Sequence, residues 1–280
     1  MGKRGGHLLD PALPVLLRPD GTVQVGWDPR RAVLVEPPEP LGTTELAELL
    51  RGMQTGLSSE ELTCRAQQLG MGNHRDLDRL TEALTAVGLL TDQSERTQHT
   101  PLVRIHGSGP LSDLLAGALR GAGNRVSTSR FGHGGVTRPS ADLVVLTDAL
   151  LPDPRVVHQL HADGVAHLPV CIRDGTGLIG PLVLPGMSAC LNCCELYRRD
   201  HDEAWPAVAA QLRDASSCAD RASVLATAAV ALDQVEVVLA VIAGLSRPAP
   251  PILSATLEFD ISTRTSLIRG WTRHPGCQWC

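Results

Sequence analysis

Residues 102–119 read LVRIHGSGPLSDLLAGAL. A short apolar run leads into Gly107 and Gly109, and Pro110 follows where a first helical turn accepts proline. Leu111, Leu114, Leu115, Ala118 and Leu119 then recur at helical spacing. Strand, glycine turn and helix together form the opening unit of a dinucleotide-binding fold. There the backbone comes close to a phosphate and helix N–H groups face it. Ser112, a small residue, stands where a third glycine would be.

The stretch downstream continues the alternation. NRVST (124–128) and DLVVLT (142–147) read as strands, and DPRVVHQLHADG (153–164) as a helix. HLPVCIRD (167–174) and LIGPLVL (178–184) bracket the turn Gly175-Thr176-Gly177. Helices are expected at 190–199, 204–213 and 219–243, then a hairpin from ILSATLEFD (252–260) and TRTSLIRGW (263–271). This pattern predicts an α/β fold: a largely parallel, Rossmann-like sheet with helices on both faces. The acids Asp233 and Glu236 make the longest helix a packed core helix rather than a membrane span.

A nucleotide site needs more than the turn. A ribose is held by an acid about 20 residues on, at the end of the second strand. Between Asp113 and Asp142 the chain has neither aspartate nor glutamate. Gly107 and Gly109 therefore read as a degenerate nucleotide loop with ATP not expected to bind. One alternative is an NADP-dependent oxidoreductase, with Ser127 to Arg130 receiving a 2′-phosphate.

Upstream, TDQSERTQHTP (91–101) is polar and ends in proline. It sets domains at 1–92 and 102–280 with a linker at 93–101. PVLLR (14–18) and TVQVGW (22–27) flank Pro19-Asp20-Gly21, a hairpin signal, and RAVLVE (31–36) stops at Pro37-Pro38. Helices are expected near 43–53, 59–69 and 74–87. Ser58 with Glu61 makes a capping box, and Leu77, Leu80, Leu84 and Val87 form one stripe. Three strands and three helices in this length predict a winged helix. Its first hundred residues carry ten basic and fourteen acidic side chains, the wrong balance for a duplex-DNA reader. A peptide instead adds as a strand to an exposed sheet edge. Ala32, Val33, Leu34 and Val35 are the candidate edge, with Leu77, Leu80 and Leu84 either walling a groove or serving as core.

The chain has eight cysteines among 280 residues and a net charge of −5. No apolar window is long enough for a membrane span or a signal peptide, so a cytoplasmic protein without a membrane partner is the expectation. Two C-x-x-C pairs, Cys190/Cys193 and Cys277/Cys280, each put two sulfurs on one tight turn. Brought together, they give the tetrahedral four-sulfur set of structural zinc. Two unrelated pairs or a redox C-x-x-C are the alternatives, and His274 is a substitute ligand. Cys64, Cys171, Cys194 and Cys218 read as small buried hydrophobes.

GPLVLPGMSACLNCCELYRRDHDEAWPAVAAQL (180–212), HPGCQWC at 274–280 and the glycine loop resemble the ThiF/MoeB superfamily of ubiquitin-activating-like proteins. Residues 102–280 are most similar to the ThiF-like partner proteins of azoline-forming (TOMM/RiPP) peptide biosynthesis, and residues 1–92 resemble their winged-helix leader-recognition domain. The resemblance implies a non-catalytic protein that binds a precursor leader and serves a YcaO-type cyclodehydratase. It extends to dimer formation. Adenylating members carry Asp-x-Asp after the second strand and a phosphate-binding lysine. Here STSRF (127–131) stands there, and the only lysine is Lys3. An ATP-dependent adenylating enzyme is the alternative.

Overall fold

The computed structural model describes residues 7–92, 100–130, 141–213, 215, 218–245 and 248–280. The chain forms two compact units, Met1–Arg96 and Thr97–Cys280. Most of the expected linker, 93–99, lies outside the described residues.

The first unit begins with β1 (His7–Leu9), a strand unforeseen from the sequence. An antiparallel three-stranded sheet follows in the order β2-β3-β4, from Val15–Leu17, Val23–Val25 and Val33–Val35. Helices α1 (Thr43–Met53), α2 (Ser59–Gln68) and α3 (His74–Ala86) come next. Ser58 and Glu61 close their reciprocal capping box on α2, and Asn73 caps α3. The unit ends with β5 (Leu90–Asp92), which pairs antiparallel with β1, Leu9 opposite Leu90. Residues 91 and 92 are thereby part of a clasp joining the unit's two ends.

Leu77, Leu80 and Leu84 of α3 are 6%, 8% and 2% exposed and pack with Leu46, Leu50 and Met53 of α1. This corrects the groove-wall reading: the stripe is core, because three helices over so small a sheet need their apolar faces for each other. Val87, at the same spacing, lies past the helix end and is exposed.

The second unit is built on one seven-stranded sheet in the order β12-β11-β10-β9-β8-β6-β7. Strands β6 (Leu102–His106), β7 (Arg125–Ser129), β8 (Leu143–Thr147) and β9 (Ala166–Arg173) run parallel. Strands β10 (Thr176–Ile179), β11 (Ala255–Asp260) and β12 (Thr265–Gly270) extend it antiparallel. All five residues of β8 are buried, as a strand covered on both faces requires. Leu143 and Val145 face helix α4 (Pro110–Gly121) and helix α8 (Arg221–Ile242). Val144 and Leu146 face α5 (Pro154–Ala162). Among the described residues α8 alone is long and apolar enough to cross a membrane. Here it lies on the sheet with Ala231 and Val235 fully buried. The buried stripe of α4 is Leu111, Leu115 and Leu119, with Leu114 on its flank partly exposed. Helices α6 (Leu191–His201) and α7 (Trp205–Leu212) complete the unit.

Candidate functional site

Three places hold the residues singled out from the sequence. The first is the cysteine set. Cys190 caps the start of α6, Cys193 sits in its first turn, and Cys277 and Cys280 occupy the tail after β12. The four sulfurs lie within 4.8 Å of one another, an arrangement that could hold a metal ion. Cys190 and Cys193 are 3.7 Å apart, Cys190 and Cys277 3.6 Å, and Cys193 and Cys280 3.5 Å. A regular tetrahedron with zinc–sulfur bonds of about 2.3 Å has sulfur–sulfur edges of about 3.8 Å. The observed edges are close to that, and far from the roughly 2 Å of a disulfide.

Polar hydrogens point at these sulfurs. Asn192 Nδ2 and the Trp279 amide donate to Cys277 Sγ at 3.4 Å each, and the His274 amide donates to Cys193 Sγ at 3.3 Å. Burial opposes ionisation of Cys277, but the N–H groups of Asn192 and Trp279 outweigh it and bring the thiol down to about 6. Burial pushes Cys190 and Cys280 up. Four crowded thiolates repel one another, and a divalent ion held among them would offset that charge. His274 is not a ligand: its Nε2 meets Asp200 at 2.8 Å and its Nδ1 accepts from the Gly276 amide at 3.0 Å. The tail is also held through Trp279, whose carbonyl meets His161 Nε2 at 2.6 Å and whose ring meets His158 edge-on.

The other cysteines divide. Cys171 and Cys194 are buried, as expected, but Cys64 and Cys218 are exposed. Cys64 sits on the outer face of α2 and Cys218 in the segment before α8, so neither is a core residue.

The second place is the glycine loop. It connects β6 to α4 as predicted, but its neighbour is Asp148, which the sequence reading passed over. Asp148 is 9% exposed and holds a left-handed φ of 65°, a conformation aspartate tolerates better than most residues. Its carboxylate accepts from the Leu111 and Ser112 amides at 3.0 Å each, and from the Ser112 hydroxyl. Ser112 Oγ also meets Thr147 Oγ1 at 2.7 Å. The first turn of α4 is then fully accounted for. Pro110 has no N–H, Leu111 and Ser112 donate to Asp148, and Asp113 donates to the Gly109 carbonyl. The amides that face a phosphate in a nucleotide fold here face the protein's own carboxylate.

The glycines have a packing reason that involves no nucleotide. A Cβ on Gly107 would sit 2.3 Å from Thr147 Oγ1, and one on Gly109 2.7 Å from the Asp148 carboxyl carbon. Of the alternative 2′-phosphate site, Ser127–Ser129 form the end of β7 and Arg130 follows it. There Ser129 Oγ meets His106 Nδ1 at 2.8 Å and the Ser129 carbonyl accepts from the Gly107 amide at 3.0 Å.

The third place is β4. It hydrogen-bonds to β3 on one side, and among the described residues its other side is a free edge. Ala32, Val33 and Val35 are half-buried while Leu34 is 53% exposed. Cross-strand register places Leu16, Gln24 and Leu34 in one row on the outer face. Leu77, Leu80 and Leu84 lie in the unit's core, and Val33 and Val35 of β4 pack against that same cluster.

No family model matches the chain, and no curated protein does. Solved structures do share the fold. A heterocyclase in complex with substrate and cofactor superposes with a TM-score of 0.67 at 15% identity, covering 98% of this chain and 39% of its own. The heterocyclase TruD gives 0.66 at 17% identity, covering 99% and 43%. E. coli MccB, solved with selenomethionine MccA, gives 0.58 at 13% identity, covering 98% and 99%. The chain therefore spans about two fifths of the length of the heterocyclases and the whole of MccB. At these identities the likeness is one of fold, and it extends through both units.

Proposed function

We propose that this chain is a non-catalytic partner protein in azoline-forming peptide maturation. It binds the leader of a ribosomal precursor and presents the core to a YcaO-type cyclodehydratase. The first unit is read as a winged-helix recognition domain and the second as a Rossmann-like, ThiF-type scaffold with a structural zinc ion on its four cysteines. The leader adds as a strand to β4, and Leu34 meets its side chains. Tethering then raises the effective concentration of the core at the enzyme. The likeness of fold to two heterocyclases, one solved with substrate and cofactor, supports the setting of azoline formation.

A second reading, an ATP-dependent adenylating enzyme, is favoured by the full-length match to MccB, which has been solved with ATP. The observation that carries the choice is Asp148. A buried carboxylate on the first-turn amides of α4 puts negative charge where a phosphate would come, and leaves those donors no free capacity.

The test has two arms. A fluorescein-labelled leader from a Cys/Ser/Thr-rich precursor encoded beside this chain should bind saturably by fluorescence polarisation, and Leu34→Asp should weaken it at least tenfold with an unchanged circular dichroism spectrum. Substrate-dependent ATP–pyrophosphate exchange should be absent. Exchange above background, or leader binding indifferent to Leu34→Asp, would overturn the proposal.

A further inference from the structure

A cavity of about 320 Å³ opens in the second unit, between the C-terminal end of β8 and helices α6 and α7. Leu150, Leu178, Leu196, Trp205 and Trp279 form its apolar walls. This is the lower end of the size range of small-molecule sites, and the ends of parallel strands are where such sites form. The sulfur centre borders it through Asn192 and Trp279, while the glycine loop and β4 do not line it.

Its polar feature is Arg198. The guanidinium lies over the rings of Trp205 and Trp271, 5.5 and 5.4 Å from their centroids. Glu195 braces it through Nη1, and Glu195 is itself fixed by the Trp205 indole N–H at 2.9 Å. Arg198 is thus held in one orientation, with its side chain one third exposed. A guanidinium carries five N–H donors in a planar fork. Among the described residues Glu195 is its one hydrogen-bond partner, so donors remain for a ligand.

The surrounding charge is mainly positive, although Arg173 and Arg269 both pair with Glu258. Arg198 also lines an adjoining cavity of about 230 Å³. Around the two together stand Arg173, Arg198, Arg199, Arg213 and Arg269. Glu195 and Glu258 are the only acids in the linings. The excess is positive in a chain whose net charge is −5. A braced arginine at the lip of an apolar cavity selects a molecule with an apolar body and one anionic, planar head.

We propose that this cavity is a binding site for a small amphipathic monocarboxylate, its apolar body among the leucines and tryptophans and its carboxylate on Arg198. At about 30 Å³ for each water-sized volume, the cavity fits about ten non-hydrogen atoms. Octanoate, with that number, is the probe.

Isothermal titration calorimetry of the full chain with octanoate should show one saturable site per chain. Octanol should bind at least tenfold more weakly and octylammonium should not bind. Arg198→Met, which keeps an apolar stem against the two indoles, should weaken octanoate at least tenfold. Ala209→Trp, directed into the cavity from α7, should abolish it. Circular dichroism checks that each variant is folded, and Arg198→Met decides alone if Ala209→Trp is not. The proposal is overturned if octanoate shows no saturable binding, if octanol or octylammonium binds as well, or if Arg198→Met leaves the affinity unchanged. None of these outcomes depends on leader binding.

Discussion

The four-sulfur centre and the glycine loop are both polar clusters assembled across long sequence separations, and they are satisfied in opposite ways. At the loop, three donors from residues 111 and 112 meet a carboxylate from residue 148, and the charge at the helix terminus is complemented within the chain. At the sulfurs, residues 190 and 193 meet 277 and 280; amides of Asn192, His274 and Trp279 donate to Cys193 and Cys277, and Cys280 Sγ reaches the Ser188 carbonyl. One cluster is closed by the protein and the other could be closed by a metal ion. A sequence motif by itself does not say which kind it is. That depends on whether a group of complementary charge arrives from elsewhere in the fold.

The largest effect should come from breaking the sulfur centre. We expect about one zinc per purified chain by elemental analysis. Cys193→Ser, or a strong chelator, should remove it and lower the melting temperature by more than about 10 °C. The underlying scale is apparent zinc-binding energies of about 10–16 kcal/mol, against about 5–15 kcal/mol for a whole domain. A metal-free protein of unchanged melting temperature would show that the sulfurs, like the loop, are satisfied without help.

The next test opens the loop. Asp148→Ala strands two buried amides, each at roughly 1–3 kcal/mol, while the Ser112 hydroxyl keeps Thr147 Oγ1. At about 2–4 °C per kcal/mol for a domain of this size, the lower end of that cost is a fall of about 4–8 °C. The vacated amides should then accept an inorganic anion. Added phosphate should recover part of the loss in Asp148→Ala and leave the wild type unaffected, in thermal melts at constant ionic strength. Equal gains in both proteins would mean that the helix terminus is open already.

The smallest effect comes from a half-satisfied ring: Nδ1 of His167 meets the Val165 carbonyl at 2.9 Å, and its buried Nε2 has no hydrogen-bond partner among the described residues. His167 of β9 is fully buried, and burial brings its pKa down to about 4, with the Val165 carbonyl opposing and His161 reinforcing the shift. Above pH 6.5 the residue is neutral both folded and unfolded and contributes no pH dependence. Between 6.5 and about 4 only the unfolded chain takes the proton, so folding weakens by at most about 1.4 kcal/mol per pH unit. Chemical denaturation at pH 7 and pH 5 should show the loss, and His167→Gln should reduce it. A slope untouched by the substitution would assign the effect to other groups.

Much of the fold was legible because it is written in local periodicity. The two-sided apolar run of β8, the Ser58–Glu61 box of α2 and the Pro110 start of α4 each signal their element within a few residues. The paired C-x-x-C spacing even named the four cysteines that the fold gathers. What the sequence left open was every question of complementarity at a distance. Strands β1 and β5 are three residues each and stable only as a pair across the length of their unit, so neither carries a signal of its own. Leu77, Leu80 and Leu84 form the same stripe whether they wall a groove or fill a core; only the helix packed opposite decides it. Asp148 reads as one aspartate after a strand. Its closure of the α4 terminus depends on β8 running parallel beside β6, which brings residue 148 to residue 111. Hydrophobic period and turn chemistry are properties of neighbouring residues and survive in the sequence. Which charges meet, and which are left for an ion or a ligand to complete, is a property of the packed chain.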